Sequence, residues 1–189
     1  FTGQSGYFGR VDPDGKVQVF DAPRGRGPYG ITATPSGDVY YASLAGDHIA
    51  RVMKQTGADV PRDVGAQIIE PPTKDNGARR VWSDSKGMVW VSEWDAGQLG
   101  RYDPSTGQWK EWKLPGSRPQ AYAVFVDDRD IVWLSDFTAS ALVRFDPSTE
   151  KFDIFPHAAG GNVRQIHGRP GEVFAPLSAL DRIVVATTL

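Results

Sequence analysis

Apolar side chains recur along this chain in short runs that do not alternate with polar ones. The segments "VYYAS" at 39–43, "VWVSE" at 89–93, "VWLSD" at 132–136 and "VFAPL" at 173–177 each begin with three apolar residues in a row. Successive side chains of a strand point to opposite faces, so three consecutive apolar residues require both faces to be covered. Nine or ten residues after the third apolar position a second run follows, carrying Arg10, Arg51, Arg101, Arg144 and finally Val185. The marks themselves, Phe1, Tyr41, Val91, Leu134 and Ala175, are separated by 40, 50, 43 and 41 residues. The spacing inside the unit is therefore tighter than the period between units. An insertion after Arg51, within "MKQTGADVPRDVGAQIIEPP", accounts for the long interval.

Each unit reads as four strands. A small-residue-rich first strand ("YGITATP", "RRVWSD", "AYAVFVD", "VRQIHG") precedes the apolar run, the arginine strand follows it, and a fourth ("VQVFDAP", "WKEWKLP", "FDIFPH") closes the unit. The linkers "DPDG", "DPSTG" and "DPSTE" have the Asp-Pro start and the Gly or polar close of hairpin turns. A four-stranded antiparallel unit repeating every 40 to 50 residues is the pattern of a β-propeller blade. The expected fold is all-β, a single propeller region over 1–189. It comprises a partial blade at 1–26, blades at 27–73, 77–116 and 118–159, and a partial blade at 162–189. The first unit lacks its innermost strand and the last its fourth, so the expectation is the C-terminal portion of a six- or seven-bladed parent.

Composition narrows the function classes. Net charge of −2 gives no reason to expect a nucleic-acid or anionic-membrane partner, and no run approaches the roughly 20 apolar residues of a membrane helix. With no cysteine there is no thiol nucleophile and no cysteine-type zinc site, and the compartment stays open between cytosol and periplasm or secretion. The chain starts at Phe1 without a visible signal peptide, which reads as a mature or cut N-terminus. A G-x-S-x-G elbow, a Walker loop and H-E-x-x-H are all absent. "GRGPYG" at 25–30 fits G-x-G-x-x-G, but Pro28 and the following "ITATP" make it an interblade turn.

The order of apolar strand, short loop, arginine strand, "DPSTG" turn and outer strand ending in "LP" resembles the streptogramin B (virginiamycin B) lyase family of seven-bladed propellers. "VWVSEWDAGQLGRYDPSTGQWKEWKLP" and "GRPGEVFAPLSALDRIVV" carry the likeness, which spans nearly all of the chain. The resemblance implies elimination at the ester linkage of a cyclic depsipeptide, a carbon–oxygen lyase reaction of bacterial antibiotic resistance aided by magnesium. It also implies a histidine at the start of innermost strands and a glutamate closing the second. Counting 11 back from Tyr40, Trp90, Trp133 and Phe174 places Tyr29, Arg79, Tyr122 and Val163 in the histidine column. Counting three forward places Ser43, Glu93, Asp136 and Leu177 in the glutamate column. No histidine fills the first column, and Val163 and Leu177 can neither take a proton nor hold magnesium.

The candidate ligand-binding residues are Tyr29, Arg79, Arg80, Glu93, Tyr122, Asp136, Arg164 and Gln165. Most start innermost strands, where the channel mouth of a propeller gathers side chains from different blades. Arginine binds carboxylate or phosphate through two parallel hydrogen bonds, and tyrosine adds a flat face and a hydroxyl. Glu93 and Asp136 are candidates to meet near the axis as ligands or as an acid–base pair. His48, His157 and His167 are too scattered for a metal set, with His167 alone on an axial strand. The repeated arginines read as structural, each pairing with a carboxylate between sheets. The expected function is a lyase-like propeller that binds a small polar or anionic ligand at the mouth. The alternative is a streptogramin B lyase or related lactonase whose missing residues come from further N-terminal blades. Open sheet faces lead to an expectation of self-association.

Overall fold

The computed structural model describes residues 1–53 and 65–188, and the insertion at 54–64 lies outside the described residues. Five antiparallel sheets follow one another along the chain, with no helix among the described residues. The first holds β1 (Thr2–Gly3), β2 (Tyr7–Val11) and β3 (Val17–Asp21). The second holds β4 (Pro28–Ala33), β5 (Val39–Ser43), β6 (His48–Val52) and β7 (Ala66–Ile69). The third holds β8 (Ala78–Ser83), β9 (Val89–Glu93), β10 (Gln98–Asp103) and β11 (Gln108–Lys113). The fourth is β12 (Ala121–Val126), β13 (Val132–Asp136), β14 (Ala141–Asp146) and β15 (Lys151–Pro156). The last is β16 (His167–Arg169), β17 (Glu172–Leu177) and β18 (Arg182–Thr187). Strand order within each sheet is sequence order.

The unbroken apolar runs of the second strands are explained by stacking. Val89 and Val91 join Tyr40, Ala42 and Ile49 in a core between the second and third sheets. Trp90, on the other face of β9, packs with Leu134, Val143 and Phe145 between the third and fourth. Trp133 does the same toward Val173, Ala175 and Leu177 of the last sheet. Phe8 and Phe20 meet Tyr41 and Ala50 between the first two. Four successive interfaces of one kind make this a propeller, and the second-strand tryptophans are fully buried within it.

The turn before each of two second strands explains how that strand is held. Asp84 Oδ1 accepts the backbone N–H groups of Lys86 and Met88, while its Oδ2 accepts the indole N–H of Trp90 at 2.9 Å. Asp127 repeats this with Arg129, Ile131 and Trp133. One carboxylate thus closes the hairpin and satisfies the only polar atom of a buried tryptophan side chain.

The repeated arginines pair inside their own sheets, which corrects the expectation of carboxylate partners between sheets. Arg51 binds Asp38 at 2.9 Å, Arg144 binds Asp153 at 2.9 Å, and Arg10 binds Asp12 at 3.0 Å. Arg101 instead lies over the rings of Trp90 and Trp112. The third-strand arginine sits directly across from the second-strand aromatic in register, as Arg101 does from Trp90 and Arg144 from Trp133, so its stem packs on that ring's own sheet. Between sheets, polar contact is made by Lys110 with Glu150 and by Ser85 with Asp130.

Candidate functional site

The innermost strands β4, β8 and β12 lie side by side, and each breaks register with its second strand at the same place. The shift falls between Pro28 and Ile31 in β4, between Ala78 and Arg80 in β8, and between Ala121 and Val124 in β12. A bulge adds a residue to one strand and re-aims its side chain. The residues so placed include Tyr29, Arg79 and Tyr122, three members of the column found by counting.

Side-chain hydroxyls tie one sheet to the innermost segment of the next. Thr2 donates to the carbonyl of Tyr29 at 2.5 Å, Ser92 to that of Tyr122 at 2.6 Å, and Ser135 to that of Val163 at 2.8 Å. Ser92 and Ser135 also accept the N–H of Arg80 and Ala123. Ala42 has no hydroxyl to offer at the corresponding place, and Gly30 makes the close approach instead. A Cβ there would stand 2.7 Å from Arg80 Cα and 2.9 Å from the carbonyl oxygen of Arg79. Only glycine lets β4 lie so near the bulge of β8.

What this backbone presents is a cationic, aromatic mouth. The hydroxyls of Tyr29 and Tyr122 are hydrogen-bonded at 2.7 Å. Arg80 covers the ring of Tyr29 at 4.3 Å and donates to its hydroxyl at 3.4 Å. Arg79 lies between Trp94 and Tyr122, 4.4 and 4.7 Å from their rings. Arg164, exposed, stands 5.9 Å from the Tyr122 ring. Phe137 stacks on Tyr122 with centroids 4.7 Å apart and meets Trp94 edge to face. Among the described residues no carboxylate pairs with Arg79, Arg80 or Arg164, and the Nε donors of Arg79 and Arg80 are buried without a partner.

These charges polarise the tyrosine pair. Burial pushes the Tyr29 hydroxyl above the ordinary tyrosine value, and its hydrogen bond to Tyr122 adds to that. Burial acts on Tyr122 in the same sense. Hydrogen bonds from Tyr29 and Arg79, with the positive charge of Arg79 and Arg164, outweigh it and hold Tyr122 low.

The remaining candidates take other partners. Glu93 is completely buried, on the same face of β9 as Val89 and Val91, where Gln98 donates to its Oε2 at 2.6 Å. Its Oε1 has no partner, and burial pushes the carboxyl up to about 8. Asp136 accepts the backbone N–H groups of Gln120, Thr138 and Ala139 and so closes its own turn. Gln165 meets the ring of His167, which stands edge to face with Trp82. His48 is buried against the carbonyl of Gly46, and His157 is half-buried beside the carbonyl of Ala158. Magnesium does not fit the residues present. Among the described residues no three metal-binding side chains gather, and Val163 and Leu177 pair across the last sheet in the two columns.

Trp94 and Phe137, which complete the mouth, escaped the counting. Each directly follows the glutamate-column residue, at Glu93 and Asp136, so carrying the same arithmetic one step further would have found both.

Among solved structures, the chain is similar to virginiamycin B lyase from Staphylococcus aureus. A catalytically inactive variant with quinupristin gives a TM-score of 0.85 at 20% identity, covering 97% of this chain and 60% of that one. A streptogramin B lyase structure gives 0.78 at 18% identity, covering 98% and 63%. YCF48 bound to D1 peptide gives 0.68 at 16% identity, covering 98% and 59%. The chain thus spans about three-fifths of the length of these lyase structures. No family model and no curated protein matches the sequence. At these identities the likeness establishes the fold.

Proposed function

We propose that this propeller binds a small anionic ligand at the mouth formed by β4, β8 and β12. The observation that supports the reading is the gathering of Arg79, Arg80 and Arg164 around the Tyr29–Tyr122 pair with no carboxylate partner among the described residues. Guanidinium groups braced on aromatic faces keep a fixed orientation, so little freedom is lost when they take up a carboxylate or phosphate. The hydrogen-bonded hydroxyls of Tyr29 and Tyr122 retain acceptor capacity for a ligand hydroxyl.

Calorimetric titration with citrate and with inorganic phosphate tests this. Citrate is expected to bind, and R79A and R80A are each expected to weaken it by about 10- to 100-fold, the worth of one charge-assisted hydrogen-bond set. Unchanged citrate affinity in both variants would remove the basis for the site.

The fold likeness to virginiamycin B lyase favours a second reading, in which residues outside this chain supply the base for elimination. Incubating the full-length protein with a streptogramin B and magnesium decides it, through the presence or absence of a linear product by mass.

A further inference from the structure

A groove of about 680 Å³ opens beside the arginine mouth, between the β9–β10 turn and the loop joining β11 to β12. Trp94 belongs to both, touching Arg79 and Tyr122 on the mouth side and lining the groove. Beyond it the groove is bordered by Lys113, Ser117, Arg118, Gln120 and Thr138. Its volume is in the range of small-molecule sites. Lys113 is held by the carbonyl of Ala96 at 2.7 Å, whereas no carboxylate pairs with the exposed Arg118 among the described residues. The single acid on the rim is Asp95, against these two cations.

The groove walls are fixed to each other through their main chains. Leu114 donates to the Gly97 carbonyl, Asp95 and Ala96 to that of Asn76, and Phe137 to that of Gln120. Gly97, at φ +62°, permits this contact, because a Cβ there would stand 2.4 Å from the Pro119 carbonyl oxygen. Beside these paired backbone groups, the walls offer a ligand side-chain hydroxyl, amide, indole and guanidinium from Ser117, Thr138, Gln120, Trp94 and Arg118. That set suits a hydroxyl-rich, anionic molecule, with hydroxyls and an amide to meet its oxygens, an indole face beside it and a guanidinium for a carboxylate.

We propose that mouth and groove form one extended site for a short chain of sugar acids, with one carboxylate on Arg79 and Arg80 and the chain running past Trp94 to Arg118. This rests on the anion-binding reading of the mouth and adds the direction and chemistry of the rest of the ligand. The ladder of galacturonic acid, its dimer and its trimer tests it by calorimetry, with neutral galactose oligomers of equal length and tri-aspartate as comparisons. The trimer is expected to bind at least about tenfold more tightly than the monomer. R118A is expected to erase that gain while leaving monomer affinity unchanged.

A trimer no tighter than the monomer overturns the groove and leaves the mouth standing. So does a length gain that survives R118A. Tri-aspartate binding more tightly than the trimer overturns the sugar-acid class. Absence of all galacturonate binding overturns the inference, and the citrate titration then decides the mouth by itself.

Discussion

Glu93 is the residue whose environment most clearly opposes its chemistry. Its carboxyl sits wholly out of water with one oxygen unpartnered, and burial pushes it up to about 8. In the unfolded chain it titrates near the usual value of about 4.3. Between those values the native state keeps a proton that the unfolded state has lost, so its contribution to stability is full below about pH 4 and fades as pH rises through about 8. The E93Q variant is therefore expected to lose less stability than the parent between pH 5 and pH 9, by on the order of a few kcal/mol. Thermal unfolding of both proteins at the two pH values checks this, and parallel losses would contradict it. Counting from the second-strand aromatics located Glu93, but its seclusion depends on which face of β9 it takes, together with Val89 and Val91. The same counting located Tyr29, Arg79 and Tyr122, which do come together.

Strands and turns show why the column converges. The period-two pattern of a strand carries no mark of an extra residue, so the three bulges were not legible, although the repeat that aligns them was. The serines of "VWVSE" and "VWLSD" were visible as small polar residues, and their role appears only with the bulges they bridge. S92A leaves the N–H of Arg80 and the carbonyl of Tyr122 short of a partner, an expected cost of about 1–3 kcal/mol. It also loosens the backbone between Arg79 and Tyr122, so citrate affinity should fall with it. D127A, at the opposite end of β12, should cost at least as much stability through Trp133 and its turn yet leave citrate affinity unchanged. Urea unfolding and calorimetry on both variants separate these outcomes, and equal binding losses in the two would refute the local role of Ser92.

At the scale of the molecule, the stacking of sheets was the most legible feature, because apolar runs without alternation admit few other arrangements. The arginine partners were not, since a carboxylate in the same sheet and one in the next are equally compatible with a repeat. The face of β18 turned away from the fourth sheet carries Ile183 and Val185, 66% and 51% exposed. We expect copies of the chain to meet through it. Sedimentation should show species heavier than 20.7 kDa, with Ile183→Lys and Val185→Lys restoring a monomer; a parent chain that is already a discrete monomer would contradict this. The charge-substituted monomer also serves for the measurement that reaches the mouth itself. The Nε–H groups of Arg79 and Arg80, buried and unpartnered, can be followed by side-chain NMR during a citrate titration. Saturable shifts of both signals, at citrate concentrations that leave Arg10 and Arg144 unmoved, are the predicted result. Equal, non-saturating drift of all four would show that the mouth has no preference for an anion.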